Sequence, residues 1–294
     1  MSQHDQQQLS RIAEMLDLII EKHPHSTDIV NAFRPVIMEK RRLLKTLDCT
    51  PMDLSNIDPS LIRQGIPVIR QATLFQLGDP LEHPSLSLVS ALKQGFPNIQ
   101  VDMDRLIGHI YDKTLDLFGL LRAYFDNDDK MIEEWSTSLQ IQPASLHLLL
   151  RAVSWVILHK RRRQIADFVD EFGWEKGYCP ICGSFPVLST IQEKGGVRRL
   201  HCDQCGHGWR FSRVICPYCE YESMKEMTYF YVEDDPREAA YTCDQCKRYL
   251  VTLHQVSDLG VEDFDIAPLG LIHLDLIMQV RGLLPMATSE WNIF

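Results

Sequence analysis

The chain of 294 residues has no long apolar run of the kind that spans a membrane. Its most apolar stretch, residues 146–158, contains His147, Arg151 and Ser154, and is too short and too polar for a transmembrane helix. The first eight residues show no basic segment followed by an apolar one, so no secretory signal is expected. We therefore expect a cytoplasmic protein that does not insert into membranes.

The sequence also lacks the common motifs of catalysis and nucleotide binding. It contains no glycine-rich loop followed by Lys and Ser or Thr, and no dinucleotide-binding fingerprint. It contains neither a Gly-x-Ser-x-Gly nucleophile elbow nor a His-Glu-x-x-His motif. These absences favour a binding or assembly protein, and we expect no enzymatic activity.

Positive charge is in the minority. Lys and Arg number 30 against 40 Asp and Glu, and the net charge of -10 argues against a nucleic-acid partner. Residues 176–215 nevertheless carry six basic and two acidic residues, a formal charge of +4. Two interpretations of the arginines in this segment are open. They offset thiolate charge at the first cysteine site described below, or they form a surface for a partner; they are Arg198, Arg199, Arg210 and Arg213.

Cysteine is sparse, at nine residues, which excludes a disulfide scaffold. Cys49 stands alone and is interpreted as a small buried apolar residue. The other eight form four Cys-x-x-Cys pairs, namely Cys179/Cys182, Cys202/Cys205, Cys216/Cys219 and Cys243/Cys246. Spacers of 19 and 23 residues separate the two pairs within each unit, and ten residues separate the units.

In a reducing compartment such pairs are metal ligands or redox groups more often than disulfides. Two intervening residues let both sulfurs of a tight turn point at one ion, and two turns complete a tetrahedral cage of four thiolates. Gly183 and Gly206 follow the second cysteine of their pairs, where the backbone tends to adopt a positive φ. Glu220 and Lys247 occupy those positions in the second unit, so we expect its turns to be less regular.

The spacing does not distinguish zinc from rubredoxin-type iron, because both accept four sulfur ligands in a tetrahedron. His201 and His207 lie beside cysteines and are an alternative source of a ligand. A second alternative is a redox protein whose Cys-x-x-Cys turns exchange thiols and disulfides. A third, a nucleic-acid-binding zinc ribbon that uses Trp209 and the neighbouring arginines, conflicts with the overall acidity.

Hydrophobic periodicity divides the chain near residue 172. The first part predicts helices near residues 9–20, 26–47, 84–94, 102–125, 128–138 and 144–171, with an irregular connection over residues 48–81. The second part contains short β-type runs over residues 185–191, 197–201, 208–215, 227–232, 240–242 and 249–256. A last helix is predicted over residues 267–282, with Gly282 as its stop. Strands this short cannot bury a large core, so we expect the cysteine sites to hold them.

Together these features predict an α+β protein in three parts. We expect an all-α helical bundle over residues 1–172, a first four-cysteine ribbon over residues 173–214, and a second four-cysteine ribbon with a C-terminal helix over residues 215–294. The two ribbons are expected as tandem modules of the rubredoxin-like or zinc-ribbon-like kind.

Four runs of the sequence resemble the FdhE family of formate dehydrogenase accessory proteins. They are CPICGSFP at 179–186, RLHCDQCG at 199–206 with Trp209 after it, CPYC at 216–219 and YTCDQCKRYL at 241–250. The resemblance implies a cytoplasmic accessory factor required for active formate dehydrogenase, with the catalytic subunit of that enzyme as its partner. It also implies about two iron ions per chain, held in four-cysteine sites by the eight paired cysteines, with zinc as the alternative metal.

Overall fold

The computed structural model describes residues 3–222, 227–232, 235–256 and 263–292. Its helices are α1 (Gln3–Lys22), α2 (Thr27–Thr46), α3 (Pro59–Arg63), α4 (Glu82–Gly95), α5 (Gln100–Tyr111), α6 (Leu117–Asp126), α7 (Asp129–Leu139), α8 (Pro143–Asp170), α9 (Ala267–Gly270) and α10 (Ile272–Val280). Its strands are β1 (Leu188–Gln192), β2 (Arg198–His201), β3 (Gly208–Arg210), β4 (Met227–Val232), β5 (Asp235–Cys243), β6 (Arg248–Val256) and β7 (Leu284–Pro285). A helical part followed by a sheet confirms the predicted α+β class.

One predicted helix is wrong in its extent. The sequence predicted a single helix over residues 102–125, whereas the structure breaks it between Tyr111 and Leu117. Lys113 adopts a left-handed φ of 55°, which ends α5. The carboxylate of Asp116 then accepts a hydrogen bond of 2.9 Å from the backbone N–H of Gly119 and caps the start of α6. Local capping therefore decides this break, although the apolar periodicity continues across it.

The long helix α8 is buried more completely than its sequence pattern predicted. The pattern indicated one apolar face, but every residue from Leu148 to His159 is buried. Such all-round burial is typical of a central helix. Arg151 is buried with them, and its Nε atom lies 3.8 Å from a carboxylate oxygen of Glu290.

Two compact units make up the described chain. The first consists of the described residues of 1–52, 74–160 and 290–294, and it contains most of the helices. The second consists of the described residues of 53–73 and 161–289, and it contains the sheet and all eight paired cysteines. The sequence-derived boundaries after residues 172 and 214 concern separately folding domains and stay a prediction.

All seven described strands belong to one sheet, with the order β3-β2-β1-β6-β5-β4 and with β7 paired to β6. β1 and β6 pair in parallel, with Leu188 opposite Val251 and Ser189 opposite Thr252. This pairing joins the first ribbon to the second. The tandem modules of the sequence prediction therefore share a single sheet.

A hydrophobic core covers one face of this sheet, and this corrects a second expectation. β5 and β6 have nine residues each, longer than the predicted runs. Their apolar side chains pack with those of β1 and α10 in a cluster formed by Val187, Leu188, Ala240, Tyr249, Val251, Leu253, Val256, Leu271, Leu274 and Met278. The second unit is thus stabilised by a hydrophobic core in addition to its cysteine sites.

The predicted last helix is found as α9 and α10, and Gly282 follows the end of α10 with a left-handed φ of 78°. Among the described helices, none is by itself both long and apolar enough to cross a bilayer. α7 and α8 meet that test only as a pair, across a bend of 115°.

Candidate metal centres

Each Cys-x-x-Cys pair forms the same tight turn. The carbonyl oxygen of the first cysteine accepts a hydrogen bond from the N–H of the residue after the second cysteine. The four donors are Gly183, Gly206, Glu220 and Lys247, and the distance is 2.9 Å in every turn. This repeated hydrogen bond directs both sulfurs of a pair to the same side of the turn, as the sequence interpretation required.

The residue that follows each pair adopts a left-handed backbone. Gly183 has φ 77° and Gly206 has φ 67°, which confirms the expectation for the first unit. Glu220 and Lys247 both have φ 56°. The turns of the second unit therefore have the same conformation as those of the first, but residues with a Cβ adopt it at a cost of about 1–2 kcal/mol each.

The turns bring the eight sulfurs together as two clusters. In the first cluster Cys179 Sγ lies 3.4 Å from Cys205 Sγ, and Cys182 Sγ lies 3.4 Å from Cys202 Sγ. In the second cluster the corresponding distances, Cys216 to Cys246 and Cys219 to Cys243, are both 3.8 Å. All four sulfurs of a cluster lie within 4.8 Å of one another.

These distances fit a tetrahedral metal site. Four sulfurs about 2.3 Å from a zinc ion would lie about 3.8 Å apart at the corners of a tetrahedron. The second cluster has that spacing along two of its edges, and the first is slightly tighter. Both clusters could therefore hold a metal ion with little rearrangement, about two ions per chain.

The clusters differ in their access to solvent. All four cysteines of the first cluster are buried. In the second cluster Cys219 is exposed and Cys246 is half-buried. Water, chelators and small thiols therefore reach the second cluster more easily than the first.

Electrostatics within the first cluster favour a bound cation. Hydrogen bonds from Cys179, Cys202 and Cys205 hold the pKa of the Cys182 thiol well below its usual value. Burial raises the pKa of Cys202 and of Cys205 well above the usual value. The thiolate of Cys182 is thus stabilised while Cys202 and Cys205 keep their protons. A bound cation would remove this conflict, because a metal ion stabilises all four thiolates together.

The second cluster shows the same division. Burial raises the pKa of Cys216 to about 11. The pKa of Cys243 is below its usual value. Burial acts to raise this pKa, but the backbone N–H groups of Cys246 and Gln245 donate to the sulfur and outweigh that effect. These N–H···S hydrogen bonds are the ones expected for metal-binding turns.

Part of the predicted irregular connection over residues 48–81 supports the first cluster. The N–H groups of Val68 and Ile69 donate to the carbonyl oxygens of Pro180 and Ile181, at 2.9 and 3.0 Å. The hydroxyl of Tyr178 donates to the carbonyl oxygen of Gly65 at 2.7 Å. Residues 65–69 therefore hold the first turn from outside, and only the tertiary fold reveals this support.

The candidate histidine ligands lie outside the sulfur clusters. His201 Nε2 is 2.9 Å from the hydroxyl of Thr190, and burial lowers the pKa of His201 to about 3. His207 is also buried, and its Nε2 lies 3.4 Å from a carboxylate oxygen of Asp170. Cys49 is half-buried in the first unit, apart from both clusters.

Arg198 interacts with the second cluster, whereas one of the two interpretations above expected it to offset charge at the first. Its guanidinium is buried, and its charge interacts with Cys216 of the second cluster. Its Nε and Nη2 atoms have no hydrogen-bond partner among the described residues. Burial lowers the pKa of Arg198 to about 10, so the side chain stays charged at neutral pH. An arginine of the first ribbon thus places positive charge near the second site.

Comparisons with known proteins agree with the geometry. The family model of the FdhE central domain matches residues 178–213, which include the first cluster. Protein FdhE of Escherichia coli K12 is 34% identical over 138 residues, covering 44% of this chain and 43% of the relative. An FdhE homolog of Edwardsiella ictaluri is 36% identical over 127 residues, covering 42% and 39%.

The crystal structure of the FdhE protein from Pseudomonas aeruginosa is similar in fold. Its TM-score is 0.66 at 21% identity, over 97% of this chain and 94% of that one. These matches show that the chain is similar to proteins of the FdhE family in sequence and in fold. The resemblance noted from the sequence is thereby confirmed. The sequence matches span less than half of the curated FdhE relatives, whereas the fold similarity to the Pseudomonas FdhE protein is nearly complete.

Proposed function

We propose that this chain is a cytoplasmic accessory factor for formate dehydrogenase. In this proposal it binds the catalytic subunit of that enzyme through the helical and sheet units and has no catalytic activity of its own. The observation that carries the proposal is the pair of closed four-cysteine clusters in an FdhE-like fold. A closed cage of four sulfurs leaves no open position for substrate, so it suits a structural or binding role.

The proposed ligands are the eight paired cysteines. Cys179, Cys182, Cys202 and Cys205 would hold one ion, and Cys216, Cys219, Cys243 and Cys246 the other. Iron is the proposed metal and zinc the alternative, since both suit four sulfurs in a tetrahedron. Either ion would supply cross-links between turns that are distant in sequence.

Metal analysis and visible spectroscopy of protein purified without oxygen test the metal assignment. We expect about two ions per chain and the red-brown absorption of ferric ions in sulfur sites. A colourless protein with about two zinc ions per chain would select the alternative metal. A folded, reduced protein without metal would contradict the assignment.

Affinity capture from cells that respire formate tests the partner. The tagged chain should recover the catalytic subunit of formate dehydrogenase, and the Cys49→Ser variant should recover it equally, because Cys49 lies outside both clusters. The Cys202→Ser variant should recover less. Capture of no formate dehydrogenase subunit by the unmodified chain would overturn the proposal.

The exposure of Cys219 favours one alternative, a thiol-exchange protein acting on an oxidoreductase. This function requires that the Cys216/Cys219 pair lose its metal and cycle between dithiol and disulfide. Mild oxidation followed by alkylation and mass spectrometry separates the two functions. Metal-protected thiols in both clusters would exclude the exchange protein.

A further inference from the structure

A cavity of about 320 Å³ lies in the second unit, beside the first cysteine cluster. Its lining includes Asp170, Trp174, Arg199, His207, Trp209 and Arg210. The volume is at the lower end of the range for ligand sites, about 300–1,000 Å³. A cavity of this size accommodates one ring with its charged group.

Two tryptophans form rigid apolar walls. The indole N–H of Trp174 donates to the carbonyl oxygen of Tyr178 at 2.7 Å, and that of Trp209 donates to the carbonyl oxygen of Lys176 at 3.0 Å. Both indole N–H groups are therefore satisfied within the protein. The rings are fixed in place, and they offer carbon surface for a flat ligand.

Two arginines supply positive charge at the same cavity. Arg199 and Arg210 stand directly opposite each other on β2 and β3. Like charges directly opposite on neighbouring strands are destabilising, and an anion between them relieves the repulsion. Arg199 is held by its hydrogen bond to the carbonyl oxygen of Gly208, at 2.6 Å, whereas Arg210 is exposed.

A buried histidine faces the acid that lines the cavity. His207 is 3% exposed, and its Nε2 atom lies 3.4 Å from a carboxylate oxygen of Asp170. Arg199, Arg210 and Asp170 together give the lining of the cavity a formal charge of +1. This balance favours a ligand with a single negative charge over a doubly charged phosphate.

We propose that this cavity binds a carboxylate attached to a flat apolar group. The carboxylate lies between Arg199 and Arg210, and the flat group packs against Trp174 and Trp209. An aromatic residue at the end of a polypeptide, an acidic side chain beside an aromatic one, and a free aromatic acid all have this chemistry. The proposal does not depend on the partner proposed above.

Fluorine NMR of the full-length, metal-loaded protein labelled with fluorotryptophan tests the site. The chain has five tryptophans, and the W174F and W209F variants assign the two resonances of the cavity. N-acetyltryptophan is the probe, and N-acetyltryptophanamide is its uncharged match. The acid should shift the Trp174 and Trp209 resonances and leave those of Trp135, Trp155 and Trp291 in place.

Charge variants supply the matched control. Arg210→Gln should weaken binding of the acid by about tenfold or more, because it removes a charge-assisted hydrogen bond. Arg163→Gln changes the same charge at an exposed position of α8 outside the cavity, and it should bind normally. Equal binding by these two variants would overturn the proposal. Equal binding of acid and amide, no shift at millimolar acid, or displacement of the acid by equimolar inorganic phosphate would do so as well.

Binding of two peptides distinguishes the possible sources of the carboxylate. A short peptide that ends in tryptophan with a free carboxylate is compared with an amidated peptide that has an internal Trp-Glu sequence. Binding of the first alone supports a chain end or a free acid as the ligand. Binding of the second supports an acidic segment of a polypeptide, and binding of neither contradicts a polypeptide source.

Discussion

At the residue scale, the cysteines differ from one another only in their surroundings. Cys49 and Cys202 are the same chemical group, but Cys202 lies buried among three other thiols and Cys49 has no place in either cluster. The effect of a substitution therefore depends on whether the sulfur belongs to a cluster.

We expect Cys202→Ser to abolish the metal binding proposed for the first cluster and to make the second unit sensitive to proteolysis. The reason is that the binding free energy of a structural metal, about 10 kcal/mol or more, largely stabilises the folded state. The helical signal of the first unit should persist, because its core is separate. Metal analysis and limited proteolysis check this, with Cys49→Ser as the control. Full metal content in Cys202→Ser would show that the cage is assigned wrongly.

Arg198 gives a second prediction at this scale. Arg198→Met removes the buried positive charge near Cys216. A nearby positive charge stabilises a thiolate, so without it the second site should lose metal to a chelator more readily. Arg198→Lys keeps the charge and should restore part of the affinity. Unchanged chelator competition in Arg198→Met would exclude this role.

Among the structural elements, α10 and β6 are joined by a buried group of hydrogen bonds around Tyr249. The hydroxyl of Tyr249 donates to the carboxylate of Asp275, which also accepts a hydrogen bond of 3.1 Å from Gln279. Burial raises the pKa of Tyr249 well above its usual value, so the hydroxyl keeps its proton. This contact anchors the helix on the sheet.

Tyr249→Phe should lower the free energy of unfolding of the second unit by about 1–3 kcal/mol, since it leaves a buried carboxylate with fewer donors. Tyr229→Phe is the matched control, because Tyr229 is 55% exposed on β4. Denaturant unfolding of the metal-loaded protein measures both. Equal stability of the two variants would contradict the anchoring role.

The segment just before the first Cys-x-x-Cys turn packs against the third turn. A Cβ at Gly177 would lie 1.8 Å from the carbonyl oxygen of Pro217, inside the third Cys-x-x-Cys turn. Gly177→Ala should therefore force the backbone apart and destabilise the second unit by about 1–3 kcal/mol. Gly108→Ala is the control, because no atom lies within 4 Å of the added Cβ. Thermal unfolding that is unchanged in Gly177→Ala would show that the turns separate easily.

At the scale of the whole molecule, the residues that follow the second unit in sequence belong to the first unit. Glu290 is one of them. Its carboxylate pairs with Lys40, whose side chain is 5% exposed, and lies 3.8 Å from Arg151. The C-terminal segment is thus part of the helical core.

Glu290→Gln should destabilise the first unit by about 3 kcal/mol, because it removes the acid from a buried ion pair. The metal content should stay at that of the unmodified chain, because both clusters lie in the second unit. Glu134→Gln removes the acid from an exposed pair with Lys130 at 3.7 Å and should have almost no effect. Unfolding followed by helical circular dichroism distinguishes the two. Equal stability of these variants would argue against a C-terminal anchor.

Features that depend on local spacing could be predicted from the amino-acid sequence. The four Cys-x-x-Cys turns, the left-handed Gly183 and Gly206, and the division into helical and β parts all follow from residues near one another in the chain. Two intervening residues and a positive φ are enough to aim two sulfurs in one direction, whatever the rest of the fold.

Features that join residues distant in the chain could not be predicted in this way. The parallel pairing of β1 with β6, the core under α10 and the support of Pro180 by Val68 have no local signal. The same holds for the interaction of Arg198 with Cys216 and for the cavity between Trp174 and Trp209. Each depends on which surfaces become buried together, and burial is a property of the folded chain as a whole.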